Sequence, residues 1–251
     1  MPHTSDRAES FRTWVGVLGA MLGAFMAIPD IQITNASLRD ITGGIAATPN
    51  EGSWVSTSYL IGEIVTIPLT AWLARIFSIR WYLLSNITLF LVFSCFCGLA
   101  HSLGEMILFR ACQGFTGGVM IPMALTVALS TLPKSKQPLG LVLFGMAATL
   151  APSIGPSLGG WLTGNYGWSW VFYINLFPGA LTIGSILFAI RPAPTQLNQL
   201  RDGDWLGSLL WPLDSGRSSH FWKKVNAMIG LAVRSSSFVP FWLRSLFRAL
   251  S

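Results

Sequence analysis

Three ionisable side chains stand inside otherwise apolar stretches of this sequence: Asp30 in "AIPDIQITNASL", Glu63 in "STSYLIGEIVTIPLTAWL" and Arg110 in "LFRACQGFTGGVMIPMA". A charge inside a bilayer is costly, so each such residue is a functional candidate. A carboxyl in a dry site is either paired or neutral, and one that exchanges a proton can couple that exchange to transport. Arg110 is followed by Gln113, Gly114 and Gly117 at three, four and seven residues, which puts all four on one helical face. Small residues there let another helix or a substrate come close, and the guanidinium would face the bundle interior. The alternative is a snorkelling arginine that anchors its helix. Glu63 is a proton carrier or a packed glutamate with no role. Asp30 follows Pro29, which frees a backbone carbonyl. With Gln32 and Asn35 it is expected to form a polar cluster near the outer mouth, the alternative being a plain interfacial aspartate.

A different signal comes from "GMAATLAPSIGPSLGGWLTG", which places Gly145, Pro152, Gly155, Pro156, Gly159 and Gly160 in one apolar stretch. Two prolines and many glycines weaken a helix, yet neighbouring helices can satisfy the freed backbone groups. Gly155 and Gly159 form a GxxxG face for close packing. The expectation is a bent helix held tightly on a partner, a suitable element for a conformational switch.

The elements that must position these residues are six apolar blocks, at 14–34, 53–74, 81–100, 105–128, 139–162 and 169–190. Each has about the twenty residues a helix needs to cross a hydrocarbon core. The chain is 52% hydrophobic and 10% charged, against about a quarter charged in soluble domains. The fold class expected is therefore an all-α integral membrane protein with six transmembrane helices. Residues 1–13 read as a cytoplasmic N-terminus, 14–190 as the six-span unit, 191–207 as a cytoplasmic linker and 208–251 as a basic tail. Short loops carrying Arg7, Arg12, Arg75, Arg80, Lys134, Lys136, Arg191 and Arg201 alternate with loops carrying Arg39 alone. This bias places the N-terminus in the cytoplasm. Trp54, Trp81, Trp168 and Trp170 fall at span ends and read as interfacial anchors. No cleavable signal peptide is expected, because the first apolar block is too long for a signal core.

Net charge sharpens the division. Residues 1–207 hold ten Lys/Arg and nine Asp/Glu, and residues 208–251 hold six and one. The basic excess belongs to the tail, so a nucleic-acid role for the whole chain is not supported. Cys95, Cys97 and Cys112 all lie within spans and read as small apolar filler. No nucleophile–base pair, metal set or phosphate loop stands out, so neither an enzyme nor a cofactor is expected.

Over about residues 12–207 the sequence resembles the major facilitator superfamily, in its drug:proton antiporter branch of EmrB/QacA type, whose members have fourteen spans. The motifs, in order, are "FMAIPDIQITNASL", "LTAWLARIFSIRWYLL", "FRACQGFTGGVMIP", "APSIGPSLGGWL" and "WSWVFYINLFPG". The resemblance implies that the six spans form the N-terminal half of that fold. It implicates Arg110 in proton coupling and matches Asp30 to the family's first-span acidic residue; with Glu63 and Gln113, read from the residues themselves, these make the expected proton-coupling or substrate path. It gives the span-five helix an antiporter role and makes the loop with Arg75 and Arg80 a gating latch. It further implies proton-coupled export of hydrophobic, often cationic, compounds from a bacterial inner membrane, with a periplasmic adaptor and an outer-membrane channel as partners. Ala71 and Ser78 depart from this pattern, standing where glycines are usual, and Ile76 replaces a usual basic residue.

After "DWLG" the resemblance stops. Residues 208–251 hold nine serines and no apolar run long enough to span. Codons compatible with Leu210 onward, read from each third base, permit "MAIGLGSLQSFLEEGKRDDWFGSPF", which resembles the family's continuation. The tail is therefore read as out of frame, with a basic membrane-surface segment as the alternative. On this reading the chain is an N-terminal half. Its alternatives are a truncation product that does not transport and a half-transporter active only as a homodimer.

Overall fold

The computed structural model describes residues 3–191, apart from the side chains of residues 3–9, Ala71 and Arg75. The linker beyond Arg191, the tail and its reading as out of frame, and the side chain of Arg75 as part of a gating latch lie outside the described residues. The described chain runs α1 (His3–Ala36), α2 (Leu38–Gly44), α3 (Pro49–Phe77), α4 (Ile79–Gly98), α5 (Leu103–Gly117), α6 (Met120–Thr131), α7 (Gln137–Tyr166), α8 (Trp170–Tyr173) and α9 (Leu176–Ala189). Among these residues no strand is present.

Each apolar block is helical. Five segments are long and apolar enough to cross a membrane: Ser10–Ala36, Ile79–Gly98, Leu103–Thr131, Gln137–Tyr166 and Trp170–Ala189. The sixth block is α3, long enough at 29 residues but made more polar by Ser56, Thr57, Ser58, Glu63, Thr66 and Thr70. Its hydroxyls are absorbed locally. Thr66 donates to Gly62 O at 3.1 Å and Thr70 to Thr66 O at 3.0 Å, so neither is left bare in lipid.

Two blocks expected as single helices are interrupted. Span four breaks between α5 and α6 at Gly118 and Val119, where consecutive glycines lower helix propensity. Span six breaks between α8 and α9 at Ile174 and Asn175. Pro178 follows in the first turn of α9, where its missing N–H costs nothing. The segment between the first two apolar blocks contains the short helix α2. Thr48 precedes α3, and its N–H and hydroxyl donate to Glu51 Oε2 at 2.9 and 2.7 Å. These bonds hold the exposed Glu51 carboxyl below its ordinary value, with Thr48's hydroxyl the larger cause.

Packing is centred on α1. Its Val17, Ala20, Ala24 and Ala27 share one apolar cluster with Ile87 and Phe90 of α4 and Met120, Met123 and Val127 of α6. A second cluster joins Ile41 and Ile45 with Val55, Cys97, Met106 and Phe172. α7 lies at the margin: 17% of its most apolar window is buried, against 61% for α1. What α7 does bury is its glycine face. A Cβ on Gly155 would come 2.6 Å from Gln32 Cβ, and one on Gly159 would come 2.6 Å from Ile33 O. Gly145 and Gly160 have nothing within 4 Å. The GxxxG pair thus seats α7 on α1, and Ser37 of the α1–α2 turn donates to Gly159 O at 3.2 Å. α7 runs unbroken through Pro152 and Pro156.

One residue, Ser78, joins α3 to α4, with φ +66° and ψ 139°. Glycine reaches that region freely and serine does so under strain. The sequence therefore carries a serine where the backbone demands what a glycine supplies. Ser78→Gly is expected to stabilise the folded chain by about 1 kcal/mol, read from its unfolding midpoint in mixed micelles. In the same assay Gly159→Ala should cost about 1–3 kcal/mol through overpacking, while Gly160→Ala should be neutral or mildly stabilising.

Candidate functional site

The three ionisable residues of the spans have different fates. Asp30 and Arg110 meet in the interior. Arg110 Nη1 donates to Asp30 Oδ2 at 2.5 Å and to Gln113 Oε1 at 2.7 Å, and Nε donates to Val55 O at 3.3 Å. The guanidinium carbon lies 4.3 Å from the centroid of the Tyr59 ring and 5.7 Å from that of Phe172. Nη2 is buried and has no hydrogen-bond partner among the described residues. The nearby aromatic faces offset part of that deficit electrostatically.

Asp30 is held from its other side as well. Asn175 Nδ2 donates to Asp30 Oδ1 at 2.9 Å and to Ser94 Oγ at 3.1 Å. Gln113 Nε2 also donates to Ser94 Oγ, at 3.1 Å, and Ser94 donates to Phe172 O at 2.8 Å. The result is one closed network, Asp30–Arg110–Gln113–Ser94–Asn175, drawn from α1, α5, α4 and the α8–α9 junction. Relative exposures are 1% for Asp30, 0% for Arg110, Gln113 and Ser94, and 3% for Asn175. The network lies where the two apolar clusters meet, because Tyr59 belongs to the first and Val55, Cys97 and Phe172 to the second.

Local sequence explains how these groups come together. Gly114 and Gly62 are the points of closest approach between α3 and α5. A Cβ on Gly114 would overlap the Tyr59 backbone, and one on Gly62 would overlap that of Ala111 and Phe115. Only glycine lets α3 come near enough for Val55 O and the Tyr59 ring to reach Arg110. Gly117 is similarly filled by Tyr59 and Phe90. The glycine face read next to Arg110 thus admits α3.

Two alternatives fall away and one expectation is corrected. Arg110 is not a snorkelling anchor, since it is fully buried and ion-paired. Asp30 is not interfacial, and it does not cluster with Gln32 and Asn35. Those two are exposed while Asp30 is buried; Asn35 accepts instead from Ser56 Oγ. The reason is helical geometry: at about 3.6 residues per turn, residues two and five apart point to different faces. Glu63 is half-buried on α3, with its backbone against Gly118. It makes no hydrogen bond or ion pair within the Asp30–Arg110 network. Arg80 donates to Ile190 O at 2.6 Å, and its guanidinium lies 5.8 Å from the Trp81 ring centroid.

Asn175, Ser94 and Tyr59 escaped a search limited to charged residues in spans. All three are polar residues in apolar surroundings, and Asn175 stands within "WSWVFYINLFPG". Extending the search to uncharged polar residues would have found them. Cys97, read as filler, is buried and donates weakly to Gln113 Oε1 at 3.5 Å.

Comparison with known proteins agrees with this architecture. The model of the Major Facilitator Superfamily matches residues 14–250, so the match runs past Gly207, where the sequence motifs alone ended the resemblance. The chain is 38% identical over 218 residues to the colistin resistance protein EmrB of Acinetobacter baumannii, covering 83% of this chain and 42% of that protein. It is 33% identical over 194 residues to the multidrug export protein EmrB of Escherichia coli K12, covering 77% of this chain and 38% of that protein. A bacterial homologue of the human lysosomal transporter Spinster, crystallised inward-facing and occupied, shares the fold with a TM-score of 0.58 at 18% identity. That match covers 74% of this chain and 46% of the other. The chain belongs to the Major Facilitator Superfamily and is a multi-pass membrane protein with the helical architecture of that fold's N-terminal half. It spans about four-tenths of the length of these EmrB relatives.

The network carries a stability prediction. Removing one partner of a buried ion pair strands the other charge, at a cost of about 3–5 kcal/mol. Asp30→Ala should destabilise the chain by that amount. The double change Asp30→Leu with Arg110→Met should recover much of it, measured by denaturant unfolding in micelles.

Proposed function

We propose that this chain forms one half of a proton-coupled exporter of hydrophobic compounds, and that Asp30 and Arg110 are the proton-coupling pair. The observation that carries the reading is the fully buried ion pair between α1 and α5. A charge pair sealed among apolar side chains is expensive to maintain, and ionisable groups inside spans commonly mark proton and substrate pathways. The names of the EmrB relatives, multidrug export and colistin resistance, support hydrophobic and cationic small molecules as cargo.

In this reading Asp30 accepts and releases the exchanged proton. Its protonation removes the charge that holds Arg110, which frees the guanidinium to interact elsewhere. Glu63 serves as a second carboxyl on the way, since it is half-buried one turn beyond Tyr59. Gln113 steadies Arg110 during the exchange. The glycine-rich helix α7, with Gly145, Pro152, Gly155, Pro156, Gly159 and Gly160, turns on its contact with α1, and Arg75 and Arg80 belong to the latch between spans two and three. Transporters of this superfamily hold substrate between two six-span halves that rock against each other. The coverage of the relatives supports assigning the present residues to one of those halves. The N-terminus is placed in the cytoplasm on the charge bias of the loops, the membrane is a bacterial inner membrane, and a periplasmic adaptor with an outer-membrane channel completes the export path.

The test is dye efflux in cells and everted vesicles carrying these residues within a full-length transporter that supplies the second half. Efflux of a lipophilic cation should collapse when the proton gradient is dissipated. Arg110→Ala should reduce it at least 100-fold with the amount of membrane-inserted protein unchanged. Undiminished efflux in that variant overturns the assigned role.

A further inference from the structure

We propose that Asn175 is a positioning residue that carries the charge state of Asp30 to the start of α9, an inference that rests on reading Asp30 as the exchanging carboxyl. Asparagine immediately before a helix ordinarily caps it, its side-chain oxygen accepting a backbone N–H of the first turn. Asn175 stands immediately before α9, but its backbone angles are already helical (φ -66°, ψ -22°) and its side chain makes no cap bond. Its amide is turned inward, donating to Asp30 Oδ1 at 2.9 Å and Ser94 Oγ at 3.1 Å. An asparagine that is not set to cap its helix is thus committed to the buried carboxylate.

The bond to Asp30 is charge-assisted while the carboxylate is ionised, and such bonds are roughly twice as strong as neutral ones. A proton on Asp30 therefore weakens the attachment of the α8–α9 junction to α1. The junction is suited to respond. It is the break in span six, where Asn175 N–H reaches Phe172 O at 3.3 Å and regular helix resumes only at Leu176. Ser94 ties the same junction to α4 through Phe172 O, so the response is local to the start of α9.

Charged and titratable groups reach Asp30 from several helices. They are Arg110 of α5, Tyr59 and Glu63 of α3, and Cys97 of α4. The α8–α9 junction meets it through an uncharged amide. Asn175 thus senses the charge without adding one.

The experiment is hydrogen exchange by mass spectrometry on the 251-residue chain in lipid nanodiscs, read over residues 173–179. Asp30→Asn mimics the neutral carboxyl. It should speed exchange there roughly tenfold, the scale of one hydrogen bond to a charged group. Asn175→Leu should do the same. Combining the two should add little, because both act on the same bond, which one change weakens and the other removes. Asn175→Gln, which keeps the amide, should lie nearer the parent chain. If leucine at 175 prevents insertion, Asn175→Ala takes its place. Asn86→Leu removes another buried amide, one that donates to Tyr82 O at 2.8 Å within α4, and should leave residues 173–179 unchanged. Additive effects of the Asp30 and Asn175 changes, unaltered exchange in either, or an equal rise with Asn86→Leu overturns the proposal. The transport reading fails separately: the exchange pattern found without proton-dependent efflux retains the Asn175 link and removes the exporter role. Proton-dependent efflux with additive exchange does the reverse.

Discussion

The buried pair of Asp30 and Arg110 constrains everything around it. Two opposite charges removed from water need their remaining hydrogen-bonding capacity met, or the cost of burial exceeds their attraction. Val55 O, Gln113 and Asn175 meet most of it from three further points of the chain, and the aromatic faces of Tyr59 and Phe172 offset part of what Arg110 Nη2 lacks. Each of these groups must reach the pair, so the helices that carry them cannot shift independently. The register of α1 against α5, and of both against the α8–α9 junction, follows from one electrostatic requirement. The apolar clusters on either side keep water away and make the requirement stricter.

Glycine sets how near the helices come. The α3–α5 contact is a backbone-to-backbone meeting at Gly62 and Gly114, and the α1–α7 contact is one at Gly155 and Gly159. Between helices in lipid there is no hydrophobic drive, so close van der Waals contact has to supply the attraction. The two contacts serve different ends. The first brings the Tyr59 ring over the guanidinium. The second seats a helix whose other faces are left exposed within these residues, including Leu139, Met146, Leu150 and Trp161.

The far end of span six is secured in another way. Arg12 of α1 donates to Phe188 O at 2.9 Å, and Arg80 of α4 donates to Ile190 O at 2.6 Å. The last carbonyls of a helix lack intrahelical partners and attract cations. Two arginines thus finish α9 where the lipid-facing helix cannot, while its beginning is tied to the ion pair. Span six is held at both ends by charge and in between by Gly19, Gly23 and Gly179 contacts with α1 and α4.

What the sequence by itself determined was the set of apolar helices, their approximate ends, and the costly residues within them. Length and hydropathy decide whether a segment can cross a bilayer, and both are local properties. Asp30, Glu63 and Arg110 were legible because a charge in an apolar run stands out without any knowledge of neighbours. The GxxxG pair was legible as a contact face for the same reason. Tertiary structure alone decided which of the three charges meet, since Asp30 and Arg110 are eighty residues apart. It alone decided that Gln32 and Asn35 turn away from Asp30, that α1 is the helix facing Gly155 and Gly159, and that Asn175 turns its amide inward to join the pair. Pairing is a non-local property: it depends on how rigid helices seat on one another, and the residues that allow the seating carry no charge to announce themselves.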